Sequence, residues 1–158
     1  MKPYLLLPPL LLSLLYTPPL LAASEADCAI WMCLPTGFGE GCEDAKKAFK
    51  KRTKRHQPAM PPFPSCEVRP AGDTSVIRDK YTSKDGIAAY VPTRTVCIRQ
   101  GKNTCMETNT IDEHMIKGQR CARTSKDGPY RPKGCTQTFR YTEVYLNGHL
   151  FGQTQYYN

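Results

Sequence analysis

The sequence is poorest in the residues from which catalytic and metal sites are usually built. Its 158 residues hold three histidines, His56, His114 and His149, and these are scattered. No Cys-x-x-Cys occurs, because the eight cysteines are separated by 4, 8, 23, 30, 7, 15 and 13 residues. A zinc site needs close ligand pairs and a thioredoxin-like redox site needs that same motif, so neither is expected. Gly-x-Ser-x-Gly, His-Glu-x-x-His and phosphate-loop patterns are missing too. No metal or other cofactor is therefore expected. Acidic residues are in deficit, 14 against 22 Lys and Arg, for a net charge of +8. Past residue 21 there is no long hydrophobic run, so no second membrane-spanning segment is expected. The length suits one ordinary domain or two small ones, and excludes a large multidomain enzyme and a Rossmann or barrel fold.

What is present begins with leucine. Ten leucines lie within residues 5–21, behind Met1-Lys2 and ahead of Ala22, Ala23, Ser24 and Ala26. A basic start, an apolar centre and a small-residue exit make residues 1–26 a secretory leader. Ser24-Glu25-Ala26 fits small-x-small cleavage and would leave Asp27 first; cleavage after Ala23 or Ser24 fits nearly as well. A membrane anchor fits less well, because Pro8, Pro9, Pro18 and Pro19 keep the apolar runs short of the roughly 20 residues that span. Asp27 before Cys28 argues against a lipoprotein signal. The remainder keeps the +8 charge and all eight cysteines, and is expected to be exported, soluble and periplasmic. A chain this small buries only about two-thirds of its unfolded surface, so disulfides at roughly 2–4 kcal/mol each matter to its stability.

Eight cysteines in an exported chain most economically form four structural disulfides, though 105 pairings are possible. Over 27–66 the pattern is a helical hairpin. Asp27 is a good N-cap, Cys28 to Leu34 is apolar and helix-compatible, and Pro35-Thr36-Gly37-Phe38-Gly39 breaks it. A second helix fits 42–56, with Glu43 and Asp44 in its first turn, cations near its end, and Cys42, Ala45 and Phe49 as a narrow buried stripe. Pro58, Pro61, Pro62 and Pro64 then give a stiff, extended return to Cys66. Cys33–Cys42 would close the turn and Cys28–Cys66 would tie the proline arm to the first helix. Residues 67–92 are polar and turn-rich, and are expected to be a linker. Thr-Ser-Lys-Asp-Gly occurs at 82–86 and again at 124–128, and Asp-Gly favours two similar turns.

From Thr93 the pattern changes to strands, so 93–158 is expected to be a disulfide-bonded β-rich part and the whole chain α+β. Thr95–Arg99 and Thr104–Glu107 form a hairpin around Gly101, with Cys97 and Cys105 placed to face each other across the ladder. Cys121 and Cys135 bracket a Gly/Pro-rich loop and are left to pair. Phe139–Leu146, Asn147-Gly148 and His149–Tyr157 carry the clearest hairpin signal. In that register Phe139, Tyr141, Tyr145, Leu150 and Tyr156 share a face suited to a core or a partner, with Val144, Leu146, His149 and Phe151 opposite.

The basic run Lys46, Lys47, Lys50, Lys51, Arg52, Lys54 and Arg55 is the candidate interaction face. Charge runs are usually solvated surface. Here seven positives in ten residues repel one another, which favours an acidic partner: anionic lipid, envelope polysaccharide, an acidic protein or nucleic acid. No aromatics interleave, so stacking on single strands is not supported. The alternative is a small basic secreted hydrolase. A ribonuclease-like site would use His114 and His149 with Lys102 or Lys117. A lysozyme-like site would need a buried Glu with a second carboxylate about 5–9 Å away. His114 and His149 look like exposed loop and turn histidines, and Glu40, Glu43 and Glu143 lie in no obvious apolar pocket, so no catalytic residue is assigned.

The stretch Asp27-Cys-Ala-Ile-Trp-Met-Cys-Leu-Pro-Thr-Gly37, then Gly41-Cys42, a short helix and a proline-rich arm ending at Ser65-Cys66, resembles the TrbM/KikA family. These are periplasmic conjugal transfer proteins encoded with type IV secretion systems. The resemblance covers residues 27–66, and the four cysteines after Cys66 depart from short family members. The closing Tyr-Leu-Asn-Gly hairpin is similar to longer relatives on integrative conjugative elements. The resemblance implies an accessory part of mating-pair formation with no catalytic residues. It implies that Cys28, Cys33, Cys42 and Cys66 correspond to the family's cysteines and that the basic face meets envelope or secretion components. No small-molecule substrate is implied.

Overall fold

A computed structural model describes residues 23–67 and 79–158, so most of the expected leader, residues 1–22, lies outside the described residues. The chain is α+β: two short helices followed by antiparallel strands. Helix α1 spans Glu25–Cys33 and α2 spans Glu43–Lys54, and the proline arm ends in a 3-10 turn, Phe63–Cys66, rather than staying extended. The N-cap of α1 is Ser24, not Asp27. Ser24 Oγ accepts the Asp27 N–H at 3.1 Å and donates to Asp27 Oδ2 at 2.7 Å. Asp27 thus sits in the first turn of the helix, where its charge favours the N-terminus.

The helical unit is built around its proline arm. Four prolines remove backbone donors, so the arm cannot join a ladder and its carbonyls need side-chain partners. Trp31 Nε1 donates to Pro61 O at 3.2 Å, and Arg52 donates to Pro58 O at 3.0 Å and Met60 O at 3.4 Å. Cys28–Cys66 and Cys33–Cys42 fasten the arm and the interhelical turn. Ile30, Trp31, Leu34, Ala45, Phe49, Ala59 and Met60 are buried together.

The strands are β1 Tyr81–Val91, β2 Arg94–Gln100, β3 Cys105–Ile111, β4 His114–Lys117, β5 Ala122–Arg123, β6 Tyr130–Arg131, β7 Gln137–Leu146 and β8 His149–Tyr157. The main sheet has the order β4-β1-β7-β8 and is antiparallel throughout. The linker expected over 67–92 is therefore overturned for 81–91, which form an inner strand. Asp85-Gly86 lies mid-strand, not in a turn. A Cβ on Gly86 would come within 2.5 Å of the Tyr141 ring, so the glycine is there to let an aromatic ring cross the backbone.

The β7–β8 hairpin turns at Asn147-Gly148, both with positive φ, as a two-residue primed turn requires. β1 and β4 continue as the two-stranded arm β2–β3, which is largely exposed. Cys97–Cys105 staples that arm, but the two residues are not cross-strand partners. Cys97 is opposite Thr108 and Cys105 opposite Gln100, with register shifts between. Cys121–Cys135 packs with Ala89, Val91 and Ile116.

The helical unit and the sheet share one core instead of standing apart as separate domains. Val144 is wholly buried in the helical cluster, with Tyr81 and Tyr157 packed against it. Phe63 stacks on Tyr81 at 5.0 Å, Phe49 meets Tyr157 edge-on at 5.1 Å, and Gln153 N–H donates to Pro35 O at 3.0 Å. The helices thus take the Val144 face of the sheet. The tyrosine-rich face carrying Tyr141, Tyr145 and Tyr156 lies opposite.

A cationic helix face and a partnered carboxylate

Helix α2 places its charges by simple geometry. Successive residues turn by about 100°, so with Ala45 and Phe49 facing inward, Lys46, Lys47, Lys50, Lys51, Lys54 and Arg55 fall on the outer half. All six are exposed. Lys47 pairs with Asp44 at 3.1 Å in a solvent-exposed contact; the other five side chains have no partner among the described residues.

Arg52 does not belong to this face. Its guanidinium is largely buried, pairs with Asp27 Oδ1 at 3.3 Å and holds the proline arm. The sequence run of seven cations is thus one structural arginine and six outward charges.

The six charges form two rows. Lys47, Lys51 and Arg55 border a groove of about 530 Å³ that also contains Asp27 and Asp44. Lys46, Lys50 and Lys54 border a second groove, of about 430 Å³, between α2 and the end of β8. Phe38, Phe49 and Tyr157 give that groove an apolar side, and no acidic side chain lines it.

The open face of the sheet holds a second cluster, which the sequence did not reveal. Glu143 is only 3% exposed. Its carboxylate accepts from Lys117 Nζ, from Thr154 Oγ1 at 2.7 Å and from the Tyr145 hydroxyl at 2.9 Å. Lys117 also lies 5.4 Å from the Tyr141 ring centre. Burial, the largest single influence, raises the Glu143 pKa. The three hydrogen bonds and the lysine charge outweigh it and hold the group below its ordinary value. Burial likewise lowers Lys117, but its bond to Glu143 and that carboxylate's charge bring it above the ordinary lysine value. The hydrogen bond to Glu143 raises the Tyr145 hydroxyl. An ionised, fully partnered glutamate is the reverse of a general acid, whose carboxyl must hold its proton near neutrality. Its role is to tie β4, β7 and β8 together.

The histidine pair of a ribonuclease-like site is not assembled. His114 is opposite Val91 at one end of β1, and His149 is opposite Leu146, which pairs with Tyr81 at the other end. An 11-residue strand is about 33 Å long, far beyond any shared substrate phosphate.

Among the described residues, no three or more His, Cys, Asp or Glu gather in a way that could hold a metal ion. No described helix is long and apolar enough to cross a membrane. Fold and site together define a class, a small disulfide-stapled α+β protein with a cationic helix fixed on a sheet. All eight cysteines are paired, which points to an oxidising compartment. No protein-family model, curated protein or solved structure matches the chain.

Proposed function

We propose that this is an exported accessory protein of bacterial conjugation, which acts by binding through the outer face of α2 and not by catalysis. On this reading residues 1–26 are a cleaved leader, the protein works in the periplasm, and it belongs to the mating-pair apparatus of a mobile element with a type IV secretion system. Its partner is an envelope or secretion protein, or the anionic envelope surface.

The observation that carries the reading is the set of six exposed cations on one helix, five of them without a partner among the described residues. Like charges at i, i+4 destabilise an isolated helix. Here the helix is held by Cys33–Cys42 at its N-cap, by the buried Phe49 and by Arg52. A fixed cationic surface of this kind steers and orients an acidic partner. The TrbM/KikA resemblance over residues 27–66 supports the conjugative context.

The test is donor-to-recipient transfer after in-frame deletion, with the gene restored in trans. A large drop recovered by complementation is expected, and Lys46→Glu/Lys47→Glu/Lys50→Glu/Lys51→Glu should reproduce the drop while leaving protein level unchanged. Normal transfer by the deletion strain would remove the conjugative role. Normal transfer by the quadruple variant alone would reduce the face to solvated surface.

A further inference from the structure

The two grooves beside α2 differ in a way that identifies the partner more closely. The groove bordered by Lys47, Lys51 and Arg55 carries its own acids. The groove bordered by Lys46, Lys50 and Lys54 is lined by no acidic side chain.

Its opposite wall is the end of β8, the edge strand of the sheet. Gln155, Tyr156 and Tyr157 all line it, although consecutive strand residues point to opposite faces. It is therefore the edge of the strand, with its backbone, that opens into the groove. Upstream, Gln153 N–H is taken by Pro35 O. Beyond that point no described strand lies alongside the outer edge of β8.

The spacing of the charges fits one kind of occupant. Lys46, Lys50 and Lys54 are each four residues apart, a rise of about 6 Å per step. Alternate side chains of an extended chain are about 6.6–6.8 Å apart. A strand added to the free edge of β8 would present every second side chain to this lysine row. A flat anionic surface would meet the convex outer half of α2 and both rows alike.

We infer that the groove between α2 and the edge of β8 binds an extended acidic segment of a partner protein, which adds to β8 as a strand and places alternate carboxylates on Lys46, Lys50 and Lys54. The inference rests on the binding role proposed above, and it names the partner's chemistry.

The test uses the full oxidised protein and a labelled short peptide alternating glutamate with valine. The controls are a block isomer of the same composition, the alternating peptide N-methylated at every second amide, and vesicles of phosphatidylglycerol. Tighter binding of the alternating peptide, salt-sensitive and weakened about tenfold or more by Lys46→Gln/Lys50→Gln/Lys54→Gln, is expected. Lys47→Gln/Lys51→Gln/Arg55→Gln should weaken it clearly less, and N-methylation on the edge-facing register should abolish it.

Equal binding of the block isomer, equal loss from both triple variants, or indifference to N-methylation would overturn the inference. Binding of vesicles alone, dependent on all six cations, would also overturn it while leaving the cationic-face reading intact. If neither peptide nor vesicle binds, the inference falls, and the cationic-face reading is decided by the transfer test.

Discussion

The pentapeptide Thr-Ser-Lys-Asp-Gly is a strand at 82–86 and a turn at 124–128. In the first copy all five residues pair with β7, from Thr82 opposite Tyr145 to Gly86 opposite Tyr141. In the second copy the chain folds back on itself. Gly128 N–H reaches Ser125 O at 3.1 Å and Thr124 N–H reaches Pro129 O at 3.2 Å, between the short strands β5 and β6. The local sequence favours the turn in both places. The two copies part at the residues after the glycine. Ile87, Ala88, Ala89, Tyr90 and Val91 carry the first copy into a buried strand, whereas Pro129 stops the second. Tertiary burial decides the first case and local chemistry the second.

Three sets of changes would break or sharpen this contrast. The largest effect should come from Cys121→Ser/Cys135→Ser, which opens the loop holding the turn copy. The cysteines are 14 positions apart, so the loss should be about 3 kcal/mol by denaturant unfolding, and β1 pairing should survive it.

Next, Gly86→Ala should cost about 1–3 kcal/mol, because its Cβ meets the buried Tyr141 ring. Gly128→Ala should cost less, because the atoms its Cβ would meet, the Thr124 and Ser125 side-chain oxygens and the Ser125 backbone nitrogen at 2.9 Å, belong to an exposed turn and not to a buried ring. Equal costs would mean that the two glycines serve the same purpose.

The smallest effects test polar partners. Asp85 accepts from the wholly buried Thr142 hydroxyl at 2.5 Å, so Asp85→Ala should cost about 1 kcal/mol. Asp127→Ala, with no partner to lose among the described residues, should stay within about 0.5 kcal/mol. Acid should separate the copies further, because Lys84 is in register with Glu143. The folded Glu143 pKa is depressed, so its stabilisation is present above the unfolded value of about 4.3 and is lost as pH falls through the folded value. Melting temperature measured against pH should therefore have an acid limb that Glu143→Gln flattens.

The elements that could be read from sequence were those whose signals are local. Asn147-Gly148 fixes its hairpin through backbone conformation alone, and α2 carries its dipole charges and buried stripe within one dozen residues. The four disulfides join the pairs that spacing suggested, because each closes a turn or arm already outlined by glycine and proline. Strand β1 was hidden because its first half is polar and its glycine serves a ring 55 positions away. Glu143 was hidden for the same reason: beside Tyr145 on its own strand, its partners Lys117 and Thr154 come from β4 and β8, 26 and 11 positions away. The basic run was visible, but Arg52 could be separated from it only when the proline arm was in place.

The nesting of Cys33–Cys42 inside Cys28–Cys66 bears on the order in which the thiols are oxidised. In a chain emerging N-terminus first, Cys28 and Cys33 appear ahead of Cys42 and Cys66, and pairing by order of appearance would join them wrongly. Within α1 they are five residues apart, about 7.5 Å along the axis and turned about 140° from each other. That separation exceeds the roughly 7 Å between Cα atoms that a disulfide can span. Once the first helix has formed, Cys28 cannot pair with its neighbour. With Cys42 taken by Cys33, the partner left to it in this unit is Cys66, at the end of the proline arm.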